Sequence, residues 1–185
     1  MRERGKGGLN LAGQLLVAHP AMRDPNFRRS VVLLSAHGDD GAMGVVLNRP
    51  LGKALGDLNP QFAAGALAKV PLFQGGPVQT EQLILAAWQP EPIAATVKLY
   101  FGIDVEKAES LQNEAGVRLR AFLGYSGWAK GQLENELRHN TWVVTPVGPD
   151  LLDRNEGQAL WRTILGRLSP EWKLMADEPD DPATN

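Results

Sequence analysis

The 185 residues carry a formal net charge of -2, with 43% hydrophobic and 22% charged residues, a balance that fits one globular domain and excludes fibrous, low-complexity and wholly disordered chains. Its arginines are scattered rather than clustered, so direct DNA binding is disfavoured, and the absence of cysteine removes disulfides, thiolate nucleophiles and Cys-ligated zinc together. No apolar run approaches the roughly 18 residues of a membrane span, and Asn10, Gly13 and Gln14 interrupt the basic-then-apolar start, so the expected place is the cytoplasm, with no membrane association.

In chain order, LNLAGQLLVA (9–18) reads as a first strand, closed by a loop in which Pro20 and Pro25 prevent regular continuation. SVVLLSA (30–36) and MGVVLN (43–48) are apolar runs on either side of HGDDGA, which predicts a hairpin with a longer loop. Residues 53–69 hold short helical pieces punctuated by Gly56, Pro60 and Gly65. VPLF then runs into GGPV, and TEQLILAAW forms a strand that QPEP ends.

Asp104 is the expected N-cap of a helix over 105–113, where Val105, Ala108 and Leu111 share a face and Gly116 stops the run. VRLRAFLG alternates as a half-buried strand, with Arg118, Arg120 and Phe122 opposite Leu119, Ala121 and Leu123. A short helix follows Trp128, with Leu133 and Leu137 four apart and Glu134 able to pair with Arg138, and TWVVTP is a further strand. The last helix places Leu160, Trp161, Ile164, Leu165 and Leu168 on one covering face. Residues 1–170 are expected to form one α+β domain, and 171–185 an acidic, disordered tail.

Gly124-Tyr125-Ser126-Gly127 between a strand and a helix invites comparison with a nucleophile elbow. However, Trp128 stands where the second glycine of G-x-S-x-G belongs. Of the three histidines, none sits near Ser126 in a base-like arrangement, His139 lying at the far end of the next helix. A glycine-rich turn entering a helix would instead present backbone N–H groups to an anion, with Tyr125 and Trp128 as a flat wall. The competing reading is a tight turn whose aromatics plug the core. Gly75, Gly76 and Pro77 break another strand end and lack the GK[ST] of a phosphate loop. Asn48 and Arg49 beside Pro50 offer an amide and a guanidinium to an anion, or tie down a neighbouring loop's carbonyls. His37, Asp39 and Asp40 crowd one loop, but H-x-H and H-E-x-x-H are absent, so no metal is expected.

Taken together, LLVAHPAMRDPNFRRSVVLLSAHGDDGAMGVVLNRP, LFQGGPVQTEQLILA and FLGYSGWAKGQLENELRHNTWVV resemble the AlgH/YqgE-like family of uncharacterised bacterial proteins. The resemblance implies a mixed, mostly antiparallel, branched or partly barrel-like sheet flanked by helices. It also implies a cytoplasmic bacterial protein from a family often described as transcriptional regulators, although no helix-turn-helix is recognisable. The family's signature positions fall on Asn48, Arg49 and Pro50; on Gly75, Gly76 and Pro77; and on Gly124, Tyr125, Gly127, Trp128, Gly131, Gln132 and Leu133. The expected ligand- or partner-binding set is Asn48, Arg49, Gly75, Gly76, Pro77, Tyr125, Ser126, Gly127, Trp128 and Gln132, converging on one surface pocket. No catalytic residue and no cofactor is assigned. The reading is a non-catalytic regulatory or binding protein for a small anionic ligand or a protein partner; the alternative is a hydrolase-like enzyme acting on a small anionic substrate, with Tyr125, Ser126 and Arg49 as its candidates.

Overall fold

Leu15–Ala18 form β1, and all four residues are buried. An unbroken apolar run suits a strand covered on both faces. In the computed structural model, which describes residues 8–148 and 157–179, β1 lies between β2 (Val31–Gly38) and β9 (Trp142–Thr145), antiparallel to both. The expected first strand is shortened at its start, because Gly13 takes a positive φ of 82° and donates its N–H to the Leu34 carbonyl. The hairpin from β2 to β3 (Gly41–Val46) is tighter than expected. Gly38 pairs with Gly41, leaving only Asp39 and Asp40 as the turn.

Residues 53–69 prove mixed: β4 (Pro50–Ala54), the short helix α1 (Leu55–Leu58) and a 3-10 turn at Pro60–Phe62. β5 (Pro71–Gln74) follows, then β6 (Val78–Glu91), which continues through QPE to pair antiparallel with β7 (Thr96–Ile103), a strand the sequence reading did not anticipate. Helix α2 (Val105–Gln112) is capped as expected, the Asp104 side chain accepting from the Lys107 N–H. β8 (Arg118–Ala129) is the long strand on which the sheet branches. After it come α3 (Gln132–Arg138), β9, α4 (Gln158–Leu168) and α5 (Pro170–Asp177). α5 occupies the start of the expected tail and buries Ala176, so the boundary at 171 is corrected. The end of that tail, 180–185, lies outside the described residues.

The nine described strands run β4-β5-β8-β3-β2-β1-β9, with the β6–β7 hairpin joined to β8 as a branch. β5 and β8 are parallel and the other pairs antiparallel. The result is one α+β domain whose mixed sheet curls into a half-barrel. Its main core gathers β1–β3, α4 and the inner residues of β6 and β8, including Trp88, Phe122 and Trp161. A second, smaller core lies on the other face of β6 and β8, where Leu55, Leu67, Leu72 and Leu85 pack with Ala108 of α2.

Candidate functional site

The glycine-rich motif between strand and helix is not a turn. β8 passes straight through Gly124-Tyr125-Ser126-Gly127 and ends at Ala129, while α3 begins three residues later at Gln132. Up to Tyr125 the strand pairs with β5 and β6; from Ser126 it pairs with β3. The glycines therefore mark the place where one strand passes from one sheet to the other, and Gly124 makes the bend with a φ of 72°.

Gly75 and Gly76 lie against this corner. A Cβ on Gly75 would overlap the Gly124 carbonyl oxygen, one on Gly76 would overlap the Tyr125 carbonyl, and one on Gly124 would come within 2.6 Å of the Gly76 oxygen. The Gly75 peptide is committed on both sides: its N–H donates to the Leu123 carbonyl at 2.8 Å, and its oxygen accepts from the Val46 N–H at 2.9 Å and from Ser126 Oγ at 3.1 Å. Ser126 has no exposed surface. The two glycine segments, expected at strand ends around one pocket, meet here as a closed backbone crossing.

Asn48 is buried and fully used. Its Oδ1 accepts from the Val31 N–H, and its Nδ2 donates to the carbonyls of Arg29 and Gly157. Arg49 forks onto the carbonyls of Asn26 and Arg28, the tying role rather than the anion-binding one. Partial burial and the neighbouring Arg28 hold its pKa below the usual arginine value, with Asp24 opposing. Trp128 stacks on Phe27 with centroids 6.1 Å apart, and Trp142 meets both rings edge-on. Asn48, Arg49 and Trp128 do converge, but on the loop of residues 24–29, which fills the space between them. Gln132 Oε1 accepts from the Ala129 N–H, while Tyr125 is half-buried and Pro77 and Gly127 are exposed.

Two carboxylates of α3 take roles that their sequence positions did not reveal. Glu136 accepts the indole N–H of Trp128 at 2.9 Å and of Trp142 at 2.8 Å. Glu134 accepts from His37 Nε2 at 2.6 Å; the tautomer follows from Nδ1, which accepts the Leu11 N–H at 3.0 Å. That hydrogen bond is the chief cause of a Glu134 pKa below the usual value. Both His37 ring nitrogens are engaged, and among the described residues no group of three or more His, Asp or Glu side chains is gathered as a metal site.

Trp128 borders a wide, open hollow of about 440 Å³ beside the β2–β3 hairpin, with His37 and Met43; more enclosed space lies elsewhere. A cavity of about 220 Å³ sits between β2 and the β6–β7 hairpin, lined by Leu33, Leu34, Ala86, Trp88, Leu99 and Phe101 among others. A more polar hollow of about 270 Å³ is bounded by Arg23, Arg28, Arg29 and Glu178. None of the residues expected to bind a ligand lines either one.

The branched mixed sheet curled into a half-barrel and flanked by helices places the chain among single-domain α+β proteins. The AlgH-like family model matches residues 15–173, and the chain belongs to that family. A UPF0301 protein of Streptomyces coelicolor is 38% identical, with 95% of this chain and 96% of that protein covered. The solution structure of AlgH from Pseudomonas aeruginosa aligns with a TM-score of 0.64 at 29% identity, covering 98% of this chain and 100% of that one. The crystal structure of DIP2367 from Corynebacterium diphtheriae gives 0.66 at 25% identity, covering 91% and 92%. No helix of the described residues is long and apolar enough to cross a membrane.

Proposed function

We propose that this chain is a non-catalytic regulatory or binding protein of the bacterial cytoplasm. One observation carries the reading: two of the three side chains an enzyme would have used, Ser126 and Arg49, are committed within the fold. Ser126 Oγ is buried against the Gly75 carbonyl, and the Arg49 guanidinium holds two main-chain oxygens. A nucleophile must reach its substrate, and an oxyanion needs donors that are not already bonded. The family's regulator description enters this reading as regulation through a bound molecule or partner rather than through DNA, in keeping with the net charge of -2. The bacterial relatives support the bacterial setting.

The test is a screen of the purified protein against phosphate esters and acyl esters beside Ser126→Ala and Arg49→Ala. Rates indistinguishable from the buffer blank are expected for all three proteins. Turnover by the natural sequence that disappears in either variant would make it an enzyme.

A further inference from the structure

Of the three histidines, His37 alone is buried, with its side chain 1% exposed near the end of β2. Its ring joins two separate parts of the chain. Nε2 donates to Glu134 of α3 at 2.6 Å, and Nδ1 accepts the Leu11 N–H at 3.0 Å. Among the described residues, the bond to Leu11 is the only hydrogen bond holding the main chain of residues 8–12 to the sheet. The next is made by Gly13, whose N–H donates to the Leu34 carbonyl. The remaining bonds are internal to the segment: the Asn10 side chain takes the Ala12 N–H, and the Leu11 carbonyl takes the Gln14 N–H.

An imidazole accepts a hydrogen bond only while neutral; in the imidazolium both nitrogens are donors. Because Nε2 already carries its proton toward Glu134, a second proton must go to Nδ1. Two N–H groups would then face each other at Leu11, and the bond there is lost. The bond to α3 responds in the opposite sense, since the imidazolium keeps its N–H on Glu134 and gains an ion pair. Asp39 and Asp40 of the β2–β3 turn, which line the hollows on either side of His37, add to Glu134 in favouring the proton. Lys130 ahead of α3, Arg138 one turn beyond Glu134, and burial oppose it. Residues 8–14 carry no charge, and neither does Ala42, the partner of His37 on β3.

We infer that His37 is a proton-operated latch on the segment ahead of β1: when neutral it holds Leu11, and on taking a proton from water at Nδ1 it lets go while staying bound to α3. Gly8, Leu9 and Asn10 form one wall of a hollow of about 540 Å³, facing Asp39, Lys130 and Glu134. Release of the latch draws that wall back and widens the hollow. The Leu11 side chain, 7% exposed, and the Gly13 bond keep the downstream end in place, so the stretch loosens and β1 stays paired. This control by pH goes beyond the binding reading and stands without it.

The test is amide exchange of the full chain by NMR from about pH 8 to about pH 5, the range in which histidine switches. The side-chain nitrogen signals of the three histidines are followed in the same samples. Once corrected for the intrinsic effect of pH on exchange, protection at Leu11 should fall about tenfold, the worth of one hydrogen bond. Its midpoint should match the titration of His37, while protection at Gly13 holds. Glu134→Gln removes the carboxylate that favours the imidazolium and should move both midpoints together to lower pH. His37→Ala should leave Leu11 at its low protection at every pH. A His37 that merely fills space would titrate without any change at Leu11. Constant protection at Leu11 through that titration, a loosening that follows His19 or His139 instead, a midpoint unmoved in Glu134→Gln, or a His37 still neutral at pH 5 would each overturn the latch. If His37→Ala does not fold, the natural sequence and Glu134→Gln decide between them.

Discussion

The glycine crossing at residues 75–76 and 124–127 and the seam between β2 and the β6–β7 hairpin lie on the same half-barrel and are opposites. At the crossing two backbones touch, amide and carbonyl groups bond to one another, and no room is left for a side chain on Gly75, Gly76 or Gly124. At the seam large side chains surround space and a buried indole N–H lacks an acceptor. Small residues recurring at strand ends are thus evidence of close approach as readily as of a ligand cradle. Hollows are left where bulky side chains cannot meet.

The contrast can be broken most forcefully at the crossing. Gly76→Ala places a Cβ inside the Tyr125 carbonyl, and we expect a loss of about 4 kcal/mol or more, or failure to fold, since neither backbone can yield without unpairing β8. Urea unfolding measures it, and a loss below about 1 kcal/mol would show that the corner is loose. Asn48→Ala should come next. It strands the Val31 N–H and the carbonyls of Arg29 and Gly157, at about 2–3 kcal/mol for buried groups left unsatisfied. Arg49→Ala removes bonds to exposed loop carbonyls and should cost only about 1 kcal/mol, with the midpoint of urea unfolding as its measure.

The smallest effect sharpens the comparison at α3. Because the hydrogen bond from His37 lowers the Glu134 pKa below its ordinary 4.5, its contribution to stability is complete above that ordinary value and lost as pH falls through the lowered one. The pair is partly exposed, so the change is modest. Urea midpoints compared at neutral pH and near pH 3 should fall less in Glu134→Gln than in the natural sequence; an equal fall would mean that the carboxylate adds nothing.

Much of the architecture was legible in the sequence. Continuous apolar runs announced β1 to β3, alternation announced the first half of β8, and Asp104 announced α2. Glycine was misread in β8, because a bend inside a strand and a turn after one leave the same residues in the sequence. β7 escaped notice because Thr96, Lys98 and Gly102 dilute an edge strand's pattern. Proline and acidic residues hid α5, although Pro170 opens that helix at its first position, where its missing N–H costs nothing. The convergence of Asn48, Arg49 and Trp128 was foreseeable from strand ends; that residues 24–29 would fill it was not, since no local periodicity reports which loop folds over which corner. Trp88 ends an ordinary apolar run. That its N–H would be orphaned emerges only when β2, β6 and β7 are brought together.

Native-state amide hydrogen exchange tests the central distinction most directly. The Gly75 N–H, bonded to Leu123, should exchange only through global unfolding, while outward-facing amides of β7 between Leu99 and Phe101 should exchange by local opening at the unpaired edge. Rapid exchange at Gly75, matching an exposed loop, would contradict a sealed crossing and return the glycine segments to the list of open sites.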